Sequence, residues 1–169
     1  YLEFVILTGV TKFSKVSIFS ELNNLHDITT HVDYGDIAGL KESEIKTNFD
    51  DYIKKGIQKL QVTEEDFFNK LRFWYNGYSW NSIDRVYNPF SILNFFSSYQ
   101  FENYWFATGT PTFLVNFIKN NGIIPDNFEK TKVNAIFFDK FDLRELDIKM
   151  LMFQTGYLTI KDRDARGFS

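Results

Sequence analysis

A short, continuously apolar run near the start of the chain, residues 4–7 (FVIL), most constrains the fold. The run is β-branched in its middle and ends in Thr8-Gly9, a pattern typical of a strand that is buried on both faces of a parallel sheet. Such a strand needs hydrogen-bonded neighbours, and no comparable run follows it. We therefore expect the rest of the sheet to lie upstream of Tyr1, and the chain to be a piece of a longer protein.

The composition narrows the chemistry. With 169 residues, of which 44% are hydrophobic and 24% charged, the chain has the size and balance of about one globular domain. The absence of Cys excludes disulfides, thiolate metal sites and a cysteine nucleophile. A net charge of −3 offers no general attraction to phosphate backbones, so we expect no nucleic-acid binding by this chain.

Two interpretations of the aromatic content, 19% with 20 Phe, stay open: a bias in the coding sequence, or a surface on which rings stack. No apolar run approaches the roughly 18 residues of a membrane span. We see no signal peptide ahead of the first apolar run and expect a cytoplasmic protein without a membrane partner.

Helical periodicity begins at about Glu42. Apolar residues then recur at spacings of three and four, which predicts one amphipathic helix as far as Leu60. The predicted buried stripe comprises Ile45, Phe49, Tyr52, Ile53, Ile57 and Leu60.

Capping residues predict where the next helices begin. Thr63 followed by Asp66 resembles a capping box and predicts a second helix, which Asn76-Gly77 ends. Asn88-Pro89 and Thr110-Pro111 place a capping residue before a proline, so each predicts a further helix.

Shorter elements complete the pattern. Residues 78–80 and 85–87 flank a polar turn, which permits a hairpin. A last helix is predicted from Asp142 to Gln154, followed by a stop at Gly156 and a β-like run over residues 157–160. Residues 161–167 are predicted to form a turn.

The chain resembles one family in five stretches that follow each other in the same order. It strongly resembles the bacterial AAA-ATPase-like proteins, which commonly carry a PD-(D/E)XK-type nuclease domain after the ATPase part. The matching stretches are residues 4–14 (FVILTGVTKFS), 73–78 (FWYNGY), 86–91 (VYNPFS), 104–114 (YWFATGTPTFL) and 151–160 (LMFQTGYLTI).

The resemblance implies a fold that is mainly α with a residual α/β element. Residues 1–40 would be the C-terminal piece of a P-loop ATPase-like core with its sensor strand. Residues 41–140 would be the helical lid, and residues 141–169 a truncated winged-helix-like element. The last element is expected to serve packing, because the charges of its helix are balanced.

The resemblance also implies a function for the parent protein, which would bind and hydrolyse ATP with magnesium and regulate a nuclease-like effector. The family places its Gly-Lys-Thr phosphate loop and Asp-Glu strand upstream of this region and its nuclease carboxylates downstream. Neither set occurs in this chain, so we expect a non-catalytic fragment that binds no nucleotide tightly. Its partners would be the N-terminal ATPase core and the C-terminal nuclease-like domain.

By the same resemblance, Thr8 would sense the nucleotide from the end of its strand, with Thr11 and Lys12 as second choices. Ligands of open α/β sheets do bind beyond the carboxyl ends of strands. The alternative is that Thr8-Gly9 only turns the chain and that Lys12 is solvated.

Other polar and aromatic residues are weaker candidates for a functional role. Arg72 and Arg85 are candidates for a lid cation near a triphosphate, but no motif identifies either. Residues 74–78 (WYNGY) are interpreted as an aromatic-packed turn in preference to a ligand or partner contact. His26 and His31 are interpreted as solvated or capping residues in preference to metal ligands.

Two further functions remain as alternatives. The first is a stand-alone module that binds a protein or peptide through exposed aromatic side chains. The second is a nucleic-acid adaptor that acts through its winged end, although the acidic composition of the chain disfavours this.

Overall fold

The structure is a computed structural model that describes residues 3–6, 8, 26–105, 112–120, 122, 132–133, 148–164 and 167–168. This part of the chain is mainly helical with small antiparallel sheets, in agreement with the predicted fold class at that level. In chain order, the elements are a 3-10 helix (Val32–Tyr34), α1 (Glu42–Asn48), α2 (Asp50–Leu60), α3 (Glu64–Tyr75), β1 (Asn76–Tyr78), β2 (Val86–Tyr87), α4 (Pro89–Ser98), α5 (Thr112–Asn120), α6 (Ile148–Gln154), β3 (Arg163–Asp164) and β4 (Gly167–Phe168).

The prediction of a single helix from Glu42 to Leu60 is wrong, because this segment forms two helices, α1 and α2, separated at Phe49. Phe49 leaves helical geometry (φ −121°, ψ 24°), and its ring stacks on Phe96 with the centroids 5.2 Å apart. Tyr52 is half-exposed instead of buried. The spacing of apolar residues predicts which side chains face the core, but it does not show whether one helix or two carry them.

The predicted capping residues that lie in the described part are confirmed. The backbone N–H of Asp66 donates to Thr63 Oγ1 at 3.1 Å at the start of α3. The N–H of Ser91 donates to Asn88 Oδ1 at 2.9 Å at the start of α4. The cap expected at residues 110–111 lies outside the described residues, although α5 is described from Thr112 onward.

The predicted hairpin is present, but its first strand lies two residues earlier than predicted (76–78 in place of 78–80) and its second is one residue shorter (86–87 in place of 85–87). Asn76 pairs with Tyr87 and Tyr78 with Val86, with an irregularity between the two pairs. Helix α3 runs directly into β1, with Asn76 extended (φ −100°) and Gly77 at φ +119°, so the positive φ falls on the glycine alone. Leu40 joins the edge of this sheet through hydrogen bonds of 3.1 and 2.9 Å with Tyr87.

The end of the chain differs from its prediction. Helix α6 is described from Ile148, and the expected cap at Asp142 lies outside the described residues. Gly156 has φ +81° and follows the helix, as expected of a stop. Residues 157–160 do not form the predicted strand, because Tyr157 and Leu158 donate back to the Met152 carbonyl at 2.7 and 3.1 Å. The predicted turn over residues 161–167 contains β3 and the start of β4.

Two separate apolar clusters hold these elements. The larger one, here called the body core, lies among α1 to α4 and the hairpin. Its buried members are Ile45, Ile53, Phe67, Phe68, Leu71, Tyr75, Tyr87, Ile92, Phe95, Phe96 and Tyr99. The smaller one, here called the C-terminal cluster, has Met150, Phe153 and Ile160 buried against Tyr78, Trp80, Val133 and Leu158.

The apolar run at the start of the chain is described for residues 4–6, which are exposed and lie in no strand of the described part. Leu7 lies outside the described residues. The strand was expected to pair with polypeptide upstream of Tyr1, so its sensor-strand interpretation stays a prediction.

Candidate functional site

The predicted sensing residues are described only in part. Thr8 is exposed and lies outside any described helix or strand. Thr11 and Lys12 lie outside the described residues. Their nucleotide-sensing role therefore stays a prediction.

Four of the five stretches that carry the resemblance meet at one place, here called the junction: the hairpin over residues 76–87 and the C-terminal segment over residues 148–161. The second and third stretches supply the two strands of the hairpin. The Tyr78 hydroxyl, from the second stretch, donates to the Phe153 carbonyl, from the fifth, at 2.8 Å. Trp105, from the fourth stretch, packs edge-on against Tyr157, with ring centroids 4.9 Å apart.

Aromatic rings fill the centre of the junction. Tyr78 and Phe153 are stacked with their centroids 6.3 Å apart, and Trp80 meets them edge-on at 4.9 and 5.6 Å. Burial raises the pKa of the Tyr78 hydroxyl well above its usual value, so the group stays protonated and can donate. Aromatic pairs in this geometry add to the energy of apolar burial.

Arg85 ties the hairpin to the C-terminal segment through backbone carbonyl groups. Its Nη1 donates to the Gly77 and Ile160 carbonyls at 3.2 and 2.9 Å, and its Nη2 donates to the Lys161 carbonyl at 2.7 Å. Three donations to backbone oxygens fix the guanidinium by geometry. Among the described residues, Arg85 forms no ion pair with a carboxylate.

Ser79 and Thr159 add a second polar connection. The Ser79 N–H donates to Thr159 Oγ1 at 2.7 Å, and that hydroxyl donates to the Ser79 carbonyl at 3.1 Å. The Ile160 N–H reaches the same carbonyl at 3.4 Å. Ser79 is fully buried, so these bonds satisfy backbone groups that water cannot reach.

Asn81 organises the turn of the hairpin. Its buried Nδ2 donates to the Val32 carbonyl at 2.9 Å and to Asp84 Oδ2 at 2.8 Å. Its Oδ1 accepts from the N–H groups of Ile83 and Asp84, both at 2.9 Å. A Cβ at Gly35 would lie 1.9 Å from this amide nitrogen, so the preceding loop passes directly against it. Asn81 lies in the polar turn that the sequence predicts, but the bonds of its side chain were not predicted, although Asn side chains commonly bond the backbone of a turn.

Glu42 links two helices to the hairpin. Its Oε2 and Oε1 accept from Nε and Nη2 of Arg72, both at 2.7 Å, and Oε2 also accepts from the Tyr87 hydroxyl at 2.7 Å. The Arg72 guanidinium, chiefly, lowers the pKa of Glu42 to about 2. Burial raises the pKa of Tyr87, which therefore stays a donor to the carboxylate. Arg72 is thus held in a two-bond pair with Glu42 and is not free to reach a ligand.

His31 behaves as expected of a capping residue. Its Nδ1 accepts from the Asp33 N–H at 3.2 Å at the start of the 3-10 helix. Across the described ranges, no group of three or more His, Asp or Glu side chains is arranged to hold a metal ion.

Aromatic side chains also reach the surface, where α3 ends. Phe73 is 83% exposed and Trp74 38% exposed, with their rings edge-on at 6.2 Å. Trp74 also lies 6.1 Å from Phe101, whereas Tyr75 is buried in the body core. The interpretation of residues 74–78 as a packed turn therefore fits Tyr75 and Tyr78, whereas Phe73 and Trp74 form a surface.

An open groove of about 320 Å³ lies beside Phe73 on the outer side of α3. Its walls are Val62, Asp66, Asn69, Lys70 and Phe73.

The side chains of Tyr78, Arg85 and Thr159 at the junction join elements by donating to backbone oxygens. None of the helices in the described residues is both long and apolar enough to cross a membrane.

Comparison with curated proteins shows a relative along nearly the whole chain. The chain is 38% identical over 160 residues, which is 95% of its length, to an uncharacterized protein in the vnfD 5′ region of Azotobacter chroococcum mcd 1. The chain spans about 29% of the length of that relative. No family model and no solved structure matches it.

Proposed function

We propose that this chain provides the sensor strand and the helical lid of a bacterial AAA-ATPase-like protein. The chain itself is non-catalytic. The parent protein binds and hydrolyses ATP with magnesium in the cytoplasm and uses the nucleotide state to regulate a nuclease-like effector. The N-terminal ATPase core and the nuclease-like domain of the parent are the partners of this chain.

The observation that carries the proposal is the meeting of four resembling stretches at the junction. Residues in the second and fifth stretches lie 75 positions apart and yet share a hydrogen bond of 2.8 Å. Stretches that build one folded unit are expected to act together. This supports a lid that moves as one body with the C-terminal element when the nucleotide state changes.

The bonding of the two arginines supports a mechanical role for the lid. Arg72 is engaged by Glu42, and Arg85 by three backbone carbonyls. The proposal therefore assigns contact with the triphosphate to the missing core and to Thr8, Thr11 and Lys12.

Nucleotide titration of the chain tests the first half of the proposal. We expect isothermal calorimetry with ATP and magnesium to show no saturable binding by residues 1–169. Tight, saturable binding would contradict it, since the chain would then hold the nucleotide by itself.

Extension of the reading frame tests the second half. We expect the sequence upstream of Tyr1 to contain a Gly-Lys-Thr loop and an Asp-Glu strand, and the extended protein to hydrolyse ATP. In that protein, Thr8→Ala and Lys12→Ala are expected to lower kcat by about tenfold or more, as losses of contacts made during reaction. Thr47→Ala, at an exposed position of α1, is the matched control and should leave kcat unchanged. An extended protein that binds no ATP would overturn the proposal.

The exposure of Phe73 and Trp74 favours a second function, that of an interaction module. A reading frame that shows neither the loop nor the Asp-Glu strand upstream of Tyr1 would favour this alternative over the ATPase proposal.

A further inference from the structure

The outer face of α3 carries an exposed apolar group and two opposite charges. Phe73 is 83% exposed, and Asp66 and Lys70 lie at the surface one helical turn apart. Lys70 makes no ion pair with any described residue. The groove of about 320 Å³ lies along the same face.

The spacing of the groove residues makes this face continuous. Within α3, Asn69, Lys70 and Phe73 follow Asp66 at three, four and seven positions, and Val62 lies just before the helix begins. These are the spacings of one helical stripe. The opposite side of α3 buries Phe67, Phe68 and Leu71 in the body core, so the outer stripe points away from the molecule.

We propose that this stripe is an interface between two copies of the chain, in which the α3 helices pack antiparallel about a two-fold axis between Asp66 and Lys70. The proposal does not depend on the ATPase function, because it uses only α3.

Charge complementarity selects this occupant and this orientation. In the antiparallel arrangement, residues that are equally far from the axis on its two sides lie opposite each other. Lys70 then meets the partner's Asp66, and the two-fold axis creates the same pair a second time. In a parallel pairing in register, Asp66 would face a second Asp66 and Lys70 a second Lys70, which is unfavourable.

The apolar groups fit the same arrangement. Phe73, towards the C-terminal end of α3, reaches the other end of the neighbouring helix, beside the partner's Val62. The groove is open to the surface and has a volume of about 320 Å³, so an aromatic ring can enter it from outside. Burial of the two Phe73 side chains, one at each end of the helix pair, adds apolar contact on both sides of the central charge pairs.

The size of the interface predicts its strength. A single pair of helices buries less area than a standard protein interface, so the dimer should be weak and dependent on concentration. We expect a Kd on the order of 10 to 100 μM, within the range of small interfaces.

Sedimentation equilibrium of the chain at concentrations across this range tests the proposal. We expect the average mass to rise from that of a monomer towards that of a dimer. Phe73→Ser should weaken association tenfold or more. The control Leu93→Ser replaces another exposed apolar side chain, 54% exposed on α4, and should leave the Kd unchanged.

A charge-swap pair tests the antiparallel contact itself. Lys70→Glu and Asp66→Lys should each abolish self-association, because like charges then face each other. An equimolar mixture of the two variants should associate again, because both cross-pairs become attractive. Asp66 also bonds the capping Thr63, so circular dichroism must show native helix content in that variant.

The outcomes divide cleanly. Self-association of the native chain together with its restoration in the mixture supports the proposal, because a parallel pairing in register would already place like charges opposite each other in the native chain. A chain that stays monomeric throughout the concentration range overturns the proposal. This outcome would also be expected if a different protein covered this face. A dimer that Phe73→Ser leaves unchanged, or a mixture of folded variants that fails to associate, overturns it as well.

Discussion

The body core and the C-terminal cluster are held by different interactions. The body core interlocks aromatic rings from three helices, and Phe95 alone has five ring neighbours at centroid distances of 4.6 to 5.9 Å. The C-terminal cluster buries three apolar side chains and is fastened to the hairpin by hydrogen bonds to backbone oxygens.

This difference implies different stabilities. A large packed core unfolds cooperatively, whereas a small unit that rests on few apolar contacts can open locally at lower cost. Hydrogen bonds contribute modestly to stability but are costly to leave unmade. The junction is therefore expected to fix where the C-terminal segment sits, and the body core to set the global free energy of unfolding.

The largest effect is expected from Phe95→Ala. Phe95 is fully buried, and its removal leaves a cavity at the centre of the ring cluster. The free energy of unfolding should fall by about 3–5 kcal/mol. Urea unfolding followed by far-UV circular dichroism measures this loss.

Phe90→Ala is the matched control on the same helix, because Phe90 is 45% exposed. Its cost should stay below about 1 kcal/mol. Equal losses in the two variants would show that the ring cluster does not dominate the stability of the body.

A smaller and local effect is expected from Gly156→Ala. Gly156 has φ +81°, and a Cβ there would lie 3.0 Å from Trp105 Cζ2. The strain should cost about 1–3 kcal/mol and should fall on the C-terminal segment. Hydrogen exchange should quicken at residues 151–160, while amides of α3 and α4 keep their protection.

Gly122→Ala serves as the control, since Gly122 also has a positive φ (+60°) but nothing within 4 Å of the added Cβ. This variant should leave exchange in the C-terminal segment unchanged. Simultaneous loss of protection in α3 and α4 in Gly156→Ala would show that the two parts unfold as one unit.

The smallest effect concerns pH, which distinguishes the Glu42–Arg72 ion pair from the hydrogen bonds that Arg85 donates to backbone carbonyls. The folded pKa of Glu42 is lowered from 4.5 to about 2, mainly by Arg72. The stabilisation from Glu42 is therefore complete above pH 4.5 and is lost as the pH falls towards 2. The pair is partly exposed, which reduces the expected loss to about 1–2 kcal/mol. The carbonyl acceptors of Arg85 do not titrate, so its contacts should persist over the same interval.

Denaturant unfolding between pH 5 and pH 2 provides the measurement. Glu42→Gln should remove this part of the acid dependence, whereas Glu65→Gln, at an exposed position in the first turn of α3, should retain it. Identical acid profiles for the native chain and Glu42→Gln would contradict the assigned role of the pair.

Local patterns in the sequence were sufficient to place several boundaries. Thr63 and Asn88-Pro89 predict the starts of α3 and α4, because capping depends on groups within a few residues. The hairpin follows from two short runs on either side of a polar turn. The predicted strand over residues 157–160 fails, because its backbone groups bond to Met152 and to the distant Ser79.

The candidate site was predictable only in its parts. The stretches that form the junction are recognisable in the sequence, and Arg72 and Arg85 are visible as candidates. Their partners are Glu42, 30 residues from Arg72, and the carbonyl groups of Ile160 and Lys161, about 75 residues from Arg85. The sequence shows that a side chain is cationic. It does not show whether that side chain contacts a carboxylate, a carbonyl group or solvent.

The sequence by itself determined where α3 and α4 begin, which positions are apolar and which chemistries the absence of cysteine excludes, since these depend on local geometry and composition. Tertiary structure alone decided that the first helix breaks at Phe49, where the ring stacks on Phe96. It also decided that both arginines are engaged within the fold and that Phe73 remains exposed. The physical reason is that burial and ion pairing depend on which distant segments come together, and that choice is made by packing the whole chain.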